Sequence, residues 1–389
     1  MKRKHYVYLF STFLLITITS FVITLVASGF RIGNDGTITQ TGIISINSAP
    51  DGALVYINDV PKDATNTNIT QLKPGTYSVR LEKEGFVTWR EDIKVVKQTV
   101  TRADALLIPL YPSFSPLTFT GVINPVLSPD GQKIIFQSIE PNNAGVWLLD
   151  LTDRPFNLSS KPRQLLVDTE NLTYSTMSIV WSPTSDEIQL SSPNVIMREG
   201  AIPNIYYYSL SSNHMLDPTP TGIPEEWAQT IADEQDAILK TLPEEDQIKI
   251  TSFAIHSWSP DKSRILYTTT QGDSTEYNIY EVPGIHTNTQ PSPTPPSHKT
   301  ITNPILTVDS NYTISWFSDS KHLLVVHQND EASGVVEIVE VNGHNRTQIF
   351  NGSLSQKTVF PSPSGTKIII LSRFNNETDG YNLYTLNLR

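Results

Sequence analysis

The residues that could support acid–base or metal chemistry are scattered along this 389-residue chain. None of its eight histidines stands at the helical spacing that would place two metal ligands on one face. His322 and His327 are five residues apart on a predicted strand, which places them on opposite faces. The sequence has no nucleophile elbow, zinc-protease motif, phosphate loop, dinucleotide fingerprint or calcium-loop consensus. We therefore predict no catalytic, cofactor-binding or metal-binding residue, and we expect a protein that is not an enzyme.

Four polar loops are the remaining candidates for binding chemistry. They span residues 140–145, 271–277, 329–334 and 375–380 and are rich in Asn, Asp and Gly. Oxygen-rich loops can hold calcium, but ordinary turn preference gives the same composition, and we favour that explanation. A catalytic site assembled from loops far apart in the sequence stays open as an alternative.

The composition excludes several classes of protein. The chain has no cysteine, so disulfide scaffolds, thiolate zinc sites and cysteine nucleophiles are ruled out. The formal net charge is -11, with 39 acidic and 28 basic side chains, which disfavours a nucleic-acid partner. The length predicts roughly two or three domains, with cores large enough to fold without covalent cross-links.

The N-terminus is basic and is followed by an uncharged stretch at 6–30. At about 1.5 Å per residue, this stretch can cross a hydrocarbon core roughly 30 Å thick. The preceding basic residues predict a cytoplasmic N-terminus, an extracytoplasmic remainder and a single-pass protein of the cell membrane. A cleaved signal peptide is the alternative, because small residues at 26–29 suit cleavage. The predicted segments are a cytoplasmic stub at 1–5, a transmembrane signal anchor at 6–30 and a spacer at 31–41.

Residues 42–110 alternate between apolar and polar side chains, which predicts a small antiparallel β domain. Its turn motifs are Pro50-Asp51-Gly52-Ala53 and Pro74-Gly75. In the first motif Pro50 fixes φ, Gly52 permits a positive φ and Ala53 lets the next strand begin close by. With these motifs the segment resembles a PEGA domain, with Asp51 in place of the family's Glu. The resemblance implies a surface-attached or envelope protein.

A turn followed at once by an apolar run occurs five times after residue 112. A second apolar phrase follows each one after a polar loop, so each repeat encodes two strands joined by a hairpin. Such pairs cannot bury their faces alone and must stack on their neighbours. We predict a β-propeller at 113–389 with five blades, or six if one repeat is degenerate. The turn phrases are Ser128-Pro129-Asp130-Gly131, Trp181-Ser182-Pro183, Trp258-Ser259-Pro260-Asp261, Trp316-Phe317-Ser318-Asp319 and Ser362-Pro363-Ser364-Gly365.

Two residue types in these phrases have predicted structural roles. Trp181, Trp258 and Trp316 recur at one position of the repeat, and we expect them to pack between blades. Asp130 and Asp261 follow a proline in the turn, and we expect them to accept backbone N–H groups there.

The paired phrases resemble those of TolB-type propellers over most of 113–389. The last repeat lacks an outer strand. We predict that the segment at 115–119, just before the first repeat, completes this blade and closes the ring.

One interval between repeats is the longest and must hold an insertion. We predict a helical insertion at 224–248, with Pro224 as a helix start signal and Pro243 as a stop signal. Its opposite face is acidic and includes Asp246; a solvated surface is the favoured explanation, and a docking surface for a basic partner is the alternative. The residues predicted on the apolar face are Trp227, Ile231, Ile238 and Leu242. A proline-rich stretch at 288–298 is predicted to be an extended, solvated loop.

The predicted fold is mainly β: an N-terminal transmembrane helix, a small β domain and a propeller with one helical insertion. We expect a membrane-tethered extracytoplasmic protein that binds a cell-envelope polymer or a protein noncovalently through propeller loops, with no cofactor. One alternative is a glycan hydrolase or lyase with two carboxylates in the propeller funnel, roughly 5 to 9.5 Å apart. The other is a structural spacer. The sequence leaves the oligomeric state open.

Overall fold

The computed structural model describes residues 2–27, 30–32, 38–152, 161–192, 205–216, 225–271, 274–283, 305–308, 311–330, 332–355, 358–374 and 380–389. The chain divides into two compact units, Met1–Leu110 and Tyr111–Arg389.

The first unit begins with a long apolar helix, α1 (Lys2–Ala27). Its segment Tyr6–Thr24 has a mean hydropathy of 2.0 and is long enough to span a membrane or to act as a signal sequence. Hydroxyl groups along this segment donate to carbonyls one turn earlier, as Thr19 does to Leu15 at 2.8 Å, so they do not remain unpaired. Because the helix starts at Lys2, residues 2–5 of the predicted stub belong to the helix.

A short antiparallel ribbon follows within the predicted spacer. It consists of β1 (Phe30–Ile32) and β2 (Ile38–Gln40). Strands of three residues are too short to show an alternating pattern, so the sequence predicted only a spacer at 31–41, and β1 begins at the last residue of the predicted membrane segment.

Seven strands then form two sheets around one core. The sheet orders are β6-β3-β9 and β5-β4-β7-β8, for the strands β3 (Gly42–Ala49), β4 (Leu54–Ile57), β5 (Val60–Ala64), β6 (Thr67–Leu72), β7 (Gly75–Glu82), β8 (Trp89–Val95) and β9 (Val100–Leu106). Ile44, Val55 and Leu81 belong to the shared core and are fully buried. The expectation of an antiparallel domain needs one correction, because β3 and β9 pair in parallel. A parallel pair requires a long crossover, which the five strands between them provide.

The turn motifs of this domain have the predicted structural roles. Gly52 has a φ of +76°, a left-handed conformation that favours glycine. Ala53 is fully buried, and its N–H donates to Thr65 Oγ1 at 2.9 Å. Pro74 and Gly75 stand where β7 begins.

In its described residues the second unit has five four-stranded antiparallel sheets, the blades of a propeller. Blade 1 consists of β11 (Ile123–Leu127), β12 (Lys133–Ser138), β13 (Gly145–Asp150) and β14 (Arg163–Val167). Blade 2 consists of β15 (Ser178–Trp181), β16 (Glu187–Ser191), β17 (Ile205–Ser209) and β18 (His214–Leu216). Blade 3 consists of β19 (Ala254–Trp258), β20 (Arg264–Gln271), β21 (Ser274–Glu281) and β22 (Leu306–Val308). Blade 4 consists of β23 (Tyr312–Trp316), β24 (His322–Gln328), β25 (Ser333–Glu340) and β26 (Thr347–Ser353).

Blade 5 combines the two ends of this unit. Its strands are β27 (Val359–Pro361), β28 (Lys367–Ser372), β29 (Asn382–Asn387) and, as the outer strand, β10 (Ser113–Pro116). Ser113 pairs with Asn387 in an antiparallel register. The predicted crossing segment is therefore present, although its strand is Ser113–Pro116 and not 115–119. Phe136 of blade 1 and Ile369 of blade 5 belong to one apolar core, which joins the first and last blades.

The five turn phrases fold alike. In four of them a serine Oγ accepts the N–H group five residues later, as Ser128 does from Lys133 at 2.9 Å. Phe317 occupies this position in blade 4, where Asp319 Oδ1 accepts the N–H of His322 instead. The residue three positions after each of these has a left-handed φ between 59° and 69°: Gly131, Ser185, Lys262, Ser320 and Gly365.

The two aspartates behave as predicted. Asp130 Oδ1 accepts the N–H of Gln132 at 3.0 Å, and Asp261 Oδ1 accepts the N–H of Ser263 at 2.9 Å. Desolvation would raise the pKa of each carboxyl, but the hydrogen bonds outweigh it and lower the pKa.

The insertion forms two helices, α2 (Glu225–Leu239) and α3 (Glu244–Thr251), where one was predicted. Pro243 does not end the insertion; it occupies the N-cap position of α3. The prediction that Asp246 faces solvent is wrong, because this residue is buried and accepts a hydrogen bond from the hydroxyl of Tyr280 in blade 3. The sequence prediction extended one helical period across Pro243. Because the chain forms two separate helices there, that period placed Asp246 on the wrong face. Pro224 and the proline-rich stretch at 288–298 lie outside the described residues.

The recurrent tryptophans occupy two kinds of environment. Trp181 packs in a cluster shared by blades 1 and 2, and Trp316 packs in one shared by blades 3 and 4, as predicted. Trp258 departs from the prediction, since it packs against a cluster formed by blade 3 and the helical insertion. Trp227 of α2 contacts Tyr207 of blade 2, with ring centroids 5.9 Å apart. The described contacts between blades 2 and 3 therefore include the inserted helices.

Candidate functional site

A cavity of about 530 Å³ lies where blades 1 and 5 meet, and we call it the seam cavity. Its volume falls within the range of roughly 300–1,000 Å³ that is typical of ligand sites. Its lining residues come from three segments far apart in the sequence: the connection from β10 to β11, the β12–β13 hairpin loop and the β28–β29 hairpin. They are Pro116, Phe119, Gly121, Glu140, Asn143, Arg373, Phe374, Gly380, Asn382 and Tyr384.

The connection from β10 to β11 is fixed to the last strand of the propeller. The N–H of Leu117 donates to the carbonyl of Leu383 at 2.8 Å. Thr118, which is fully buried, accepts the N–H of Leu383 at 2.9 Å and donates to Asn382 Oδ1 at 3.0 Å. The wall of the cavity on this side therefore depends on ring closure.

The β12–β13 hairpin contributes a carboxylate and an amide. The N–H of Asn143 donates to the carbonyl of Glu140 at 2.8 Å, which closes the loop. The carbonyl of Asn143 accepts the indole N–H of Trp147 at 2.8 Å. These contacts use the backbone and leave both side chains at the cavity wall.

Gly121 makes room for the Glu140 side chain, and Gly380 lies beside it. A Cβ atom on Gly121 would lie 3.2 Å from Glu140 Oε1, and one on Gly380 would lie 3.6 Å from the same oxygen. Gly121 also has a φ of +68°, which disfavours any other residue there. Glycine at 121 therefore preserves the space that this carboxylate occupies.

Aromatic rings form the apolar part of the wall. Phe374 contacts Tyr384, Phe114 and Phe350 edge to face, with ring centroids 4.6, 5.2 and 6.3 Å away. About half of its side chain remains exposed. Phe119, on the connection from β10 to β11, is 80% exposed. The wall thus presents one fixed ring and one ring on a connecting segment.

The described lining balances one positive and one negative side chain. Arg373 lies over the ring of Tyr381, with its guanidinium carbon 5.2 Å from the ring centroid. Glu140 supplies the carboxylate. A ligand that is neutral overall suits this lining better than a polyanion or polycation.

Sequence analysis identified part of this site. The predicted polar loop at 140–145 contributes Glu140 and Asn143, and the loop at 375–380 contributes Gly380, while its residues 375–379 lie outside the described part of the chain. The loops at 271–277 and 329–334 contribute no lining residue. Phe119, Arg373 and Phe374 were missed because no local pattern marks them. The motif residues at 50–53, 74–75 and in the five turn phrases also lie outside the lining.

A second group of titratable residues lies in blade 4. His322 is buried, with Nδ1 2.7 Å from Asp319 Oδ2 and Nε2 4.0 Å from Glu340 Oε1. Desolvation would raise the pKa of Asp319, but its hydrogen bonds, above all the one to His322, lower it. His327 is on the same strand and stacks on Tyr312 at 4.4 Å. Because His322 is buried and completes the blade-4 turn, we assign this group a structural role.

The described residues include no group of three or more His, Asp or Glu side chains placed to hold a metal ion. Parts of three predicted polar loops, at 272–273, 331 and 375–379, lie outside this statement.

Residues 41–109 match the family model described as "PEGA domain". This agrees with the segment identified from the turn motifs at 50–53 and 74–75. A search of curated proteins found no match.

Among solved structures, similar chains include several propellers. TolB from Acinetobacter baumannii matches at 14% identity and a TM-score of 0.25, over 80% of this chain and 59% of its own length. A putative TolB from Agrobacterium tumefaciens matches at 13% identity and a TM-score of 0.23, over 90% and 99% of the two chains. The β-propeller domain of the Trilobed protease from Pyrococcus furiosus matches at 11% identity and a TM-score of 0.24, over 70% of each chain. The present chain thus spans a little over half the length of the A. baumannii TolB.

Proposed function

With a PEGA domain at 41–109, an apolar helix before it and a five-bladed propeller after it, we propose that the protein is a membrane-tethered, extracytoplasmic binding protein. Its binding site is the seam cavity. The partner is a component of the cell envelope, held noncovalently.

The seam cavity is the observation that carries this proposal. It combines exposed aromatic rings with a few polar groups, the composition expected of a ligand site. Turns of the repeat and cores between blades account for the described motif residues, whereas the side chains of Phe119, Glu140 and Asn143 at the cavity take no part in those turns or cores.

The N-terminal helix supports the membrane part of the proposal. Basic residues precede Tyr6–Thr24, and this charge distribution favours an N-terminus inside the cell. An uncleaved helix keeps the binding unit close to the membrane, which raises its effective concentration for ligands at the cell surface.

The proposed role is non-catalytic. Glycoside hydrolysis usually needs two carboxylates roughly 5–9.5 Å apart, whereas the described lining offers the single carboxylate of Glu140. The substitution Glu140→Gln should therefore weaken binding, and we expect neither this variant nor the wild type to hydrolyse a glycoside.

The test uses the full-length, affinity-tagged chain in its native membrane. Envelope material would be cross-linked and recovered with the wild type, with Phe119→Ala and with Tyr111→Ala. Tyr111 is 91% exposed and outside the cavity, so it is a matched control for losing an exposed aromatic ring. We expect Phe119→Ala to lower recovery and Tyr111→Ala to leave it unchanged. Equal recovery with all three proteins would contradict the proposal.

A further inference from the structure

We propose that the seam cavity binds a neutral saccharide, which stacks on the exposed aromatic rings and hydrogen-bonds to Glu140 and Asn143. This inference rests on the proposed binding function and names the chemical class of its ligand.

The aromatic rings provide the apolar contact. The face of a phenyl ring is electron-rich, and the C–H groups on one side of a sugar ring are weakly positive, so the two surfaces attract. Edge-to-face contacts with three neighbours fix the orientation of Phe374 and leave part of its ring exposed. Phe119 offers a second ring at the same cavity with most of its surface exposed.

The polar groups match hydroxyls. Within the described residues, neither the Glu140 carboxylate nor the Asn143 side-chain amide hydrogen-bonds to another group. A carboxylate only accepts, whereas an amide both donates and accepts. A sugar hydroxyl can donate to Glu140 while a neighbouring hydroxyl accepts from Asn143. Since both residues belong to the one β12–β13 hairpin loop, their side chains can serve hydroxyls of the same ligand.

Charge and backbone geometry argue against the other classes. The charges of Glu140 and Arg373 balance, so the described lining creates no strong field for an acidic polymer. A peptide that adds as a strand needs backbone N–H and C=O groups on an open edge. The strand at the rim, β10, is only four residues long and ends in Pro116, which has no N–H.

The experiment compares ligand classes on the full chain in detergent. The probes are neutral oligosaccharides of glucose, mannose and N-acetylglucosamine, uronic-acid oligosaccharides and a panel of peptides. Binding is measured with the wild type, with Phe119→Ala, with Asn143→Ala and with the control Tyr111→Ala. We expect the wild type to bind a neutral oligosaccharide and each cavity variant to bind it roughly five- to tenfold more weakly. Thermal melting of each variant checks that the fold is intact.

The outcomes separate this inference from the proposed function. If only acidic oligosaccharides or only peptides bind, and Phe119→Ala weakens them, the saccharide class is wrong and the cavity is still a binding site. If a neutral oligosaccharide binds all four proteins equally, its site is elsewhere and the inference is overturned. If no probe binds and the recovery of envelope material does not depend on Phe119, both proposals fail.

Discussion

The indole N–H of Trp181 in blade 2 donates to the carbonyl of Val126 in blade 1 at 3.1 Å. Trp316 makes the same contact to Ser257 across the boundary between blades 3 and 4, at 3.4 Å. The equivalent nitrogen of Trp258 is buried and has no acceptor among the described residues. The tryptophans of the repeat therefore divide into two that hydrogen-bond to the preceding blade and one that does not.

The turns reinforce the same two boundaries. The N–H of Asp130 donates to Ser185 Oγ at 3.0 Å, and the N–H of Asp261 donates to Ser320 Oγ at 3.1 Å. Arg264 Nη1 also reaches the carbonyl of Ser320 at 2.9 Å.

Substituting Trp181 should cost more stability than substituting Trp258. Trp181→Phe loses packing and an interblade hydrogen bond, whereas Trp258→Phe loses packing and removes a donor that has no acceptor. We expect the free energy of unfolding to fall further for Trp181→Phe, by about 1 kcal/mol. Urea denaturation of the full chain in detergent measures the difference. Equal losses would show that the bond to Val126 contributes nothing.

Tyr280 should make the propeller sensitive to alkaline pH. Burial, followed by its hydrogen bond to Asp246, raises its pKa above the ordinary 10.0. Since the folded protein holds this proton more tightly, the stability it contributes is full below pH 10 and is lost as pH rises through the raised pKa.

The corresponding test is Tyr280→Phe, which should lose stability less steeply than the wild type as pH rises above about 10. Tyr111→Phe, at an exposed position, should keep the wild-type slope. An unchanged slope in Tyr280→Phe would rule out this tyrosine as a source of the alkaline loss.

Asp319 should make the stability of the propeller sensitive to acid pH. Its pKa lies below the ordinary 3.8, because its hydrogen bonds, above all that to His322, outweigh desolvation. A carboxyl with a lowered folded pKa stabilises the fold above its unfolded pKa, and this contribution disappears as pH falls through the folded value. Asp319→Asn should therefore show a shallower acid loss than the wild type in unfolding experiments below about pH 5. Glu170→Gln, on an exposed loop, should retain the wild-type slope.

Thr118 should link ring closure to ligand binding. Thr118→Val removes its hydrogen bonds to Leu383 and Asn382, and leaving buried polar groups unpaired costs about 1–3 kcal/mol. Since Asn382 lines the seam cavity, we expect weaker binding as well as lower stability. Thr118→Ser keeps the hydroxyl and should preserve both. A Thr118→Val protein with unchanged urea denaturation would contradict this role.

The absence of cysteine allows a direct test of membrane topology. A membrane-impermeant maleimide should label Lys161→Cys in intact cells, because the proposed topology places the propeller outside. His5→Cys, before the span, should be labelled only after permeabilisation. The reverse pattern would overturn the proposed orientation, and loss of the His5→Cys site from the mature chain would indicate cleavage.

Local sequence predicted the elements that depend on local chemistry. Each blade turn is specified within six residues. In four blades these residues run from a serine, such as Ser128, to the residue whose N–H that serine accepts, such as Lys133. The repeats were therefore recognisable from the sequence. The aromatic wall was not, because Phe119 and Phe374 come to line the same cavity only after β10 pairs with β29. The hydrogen bond from Leu383 to Thr118, for example, joins residues 265 positions apart. Asp246 was misplaced for a similar reason, since its burial depends on docking to Tyr280 in another element.

The pairing of β10 with β29 also sets an order of events during synthesis. β10 leaves the ribosome long before its partner, and closing so large a loop is entropically the most costly contact of the propeller. The seam cavity draws its walls from both strands, so a nascent chain that lacks Asn382–Asn387 has no complete site. A chain that ends before β29 should therefore fail to bind through this cavity even if its first four blades fold.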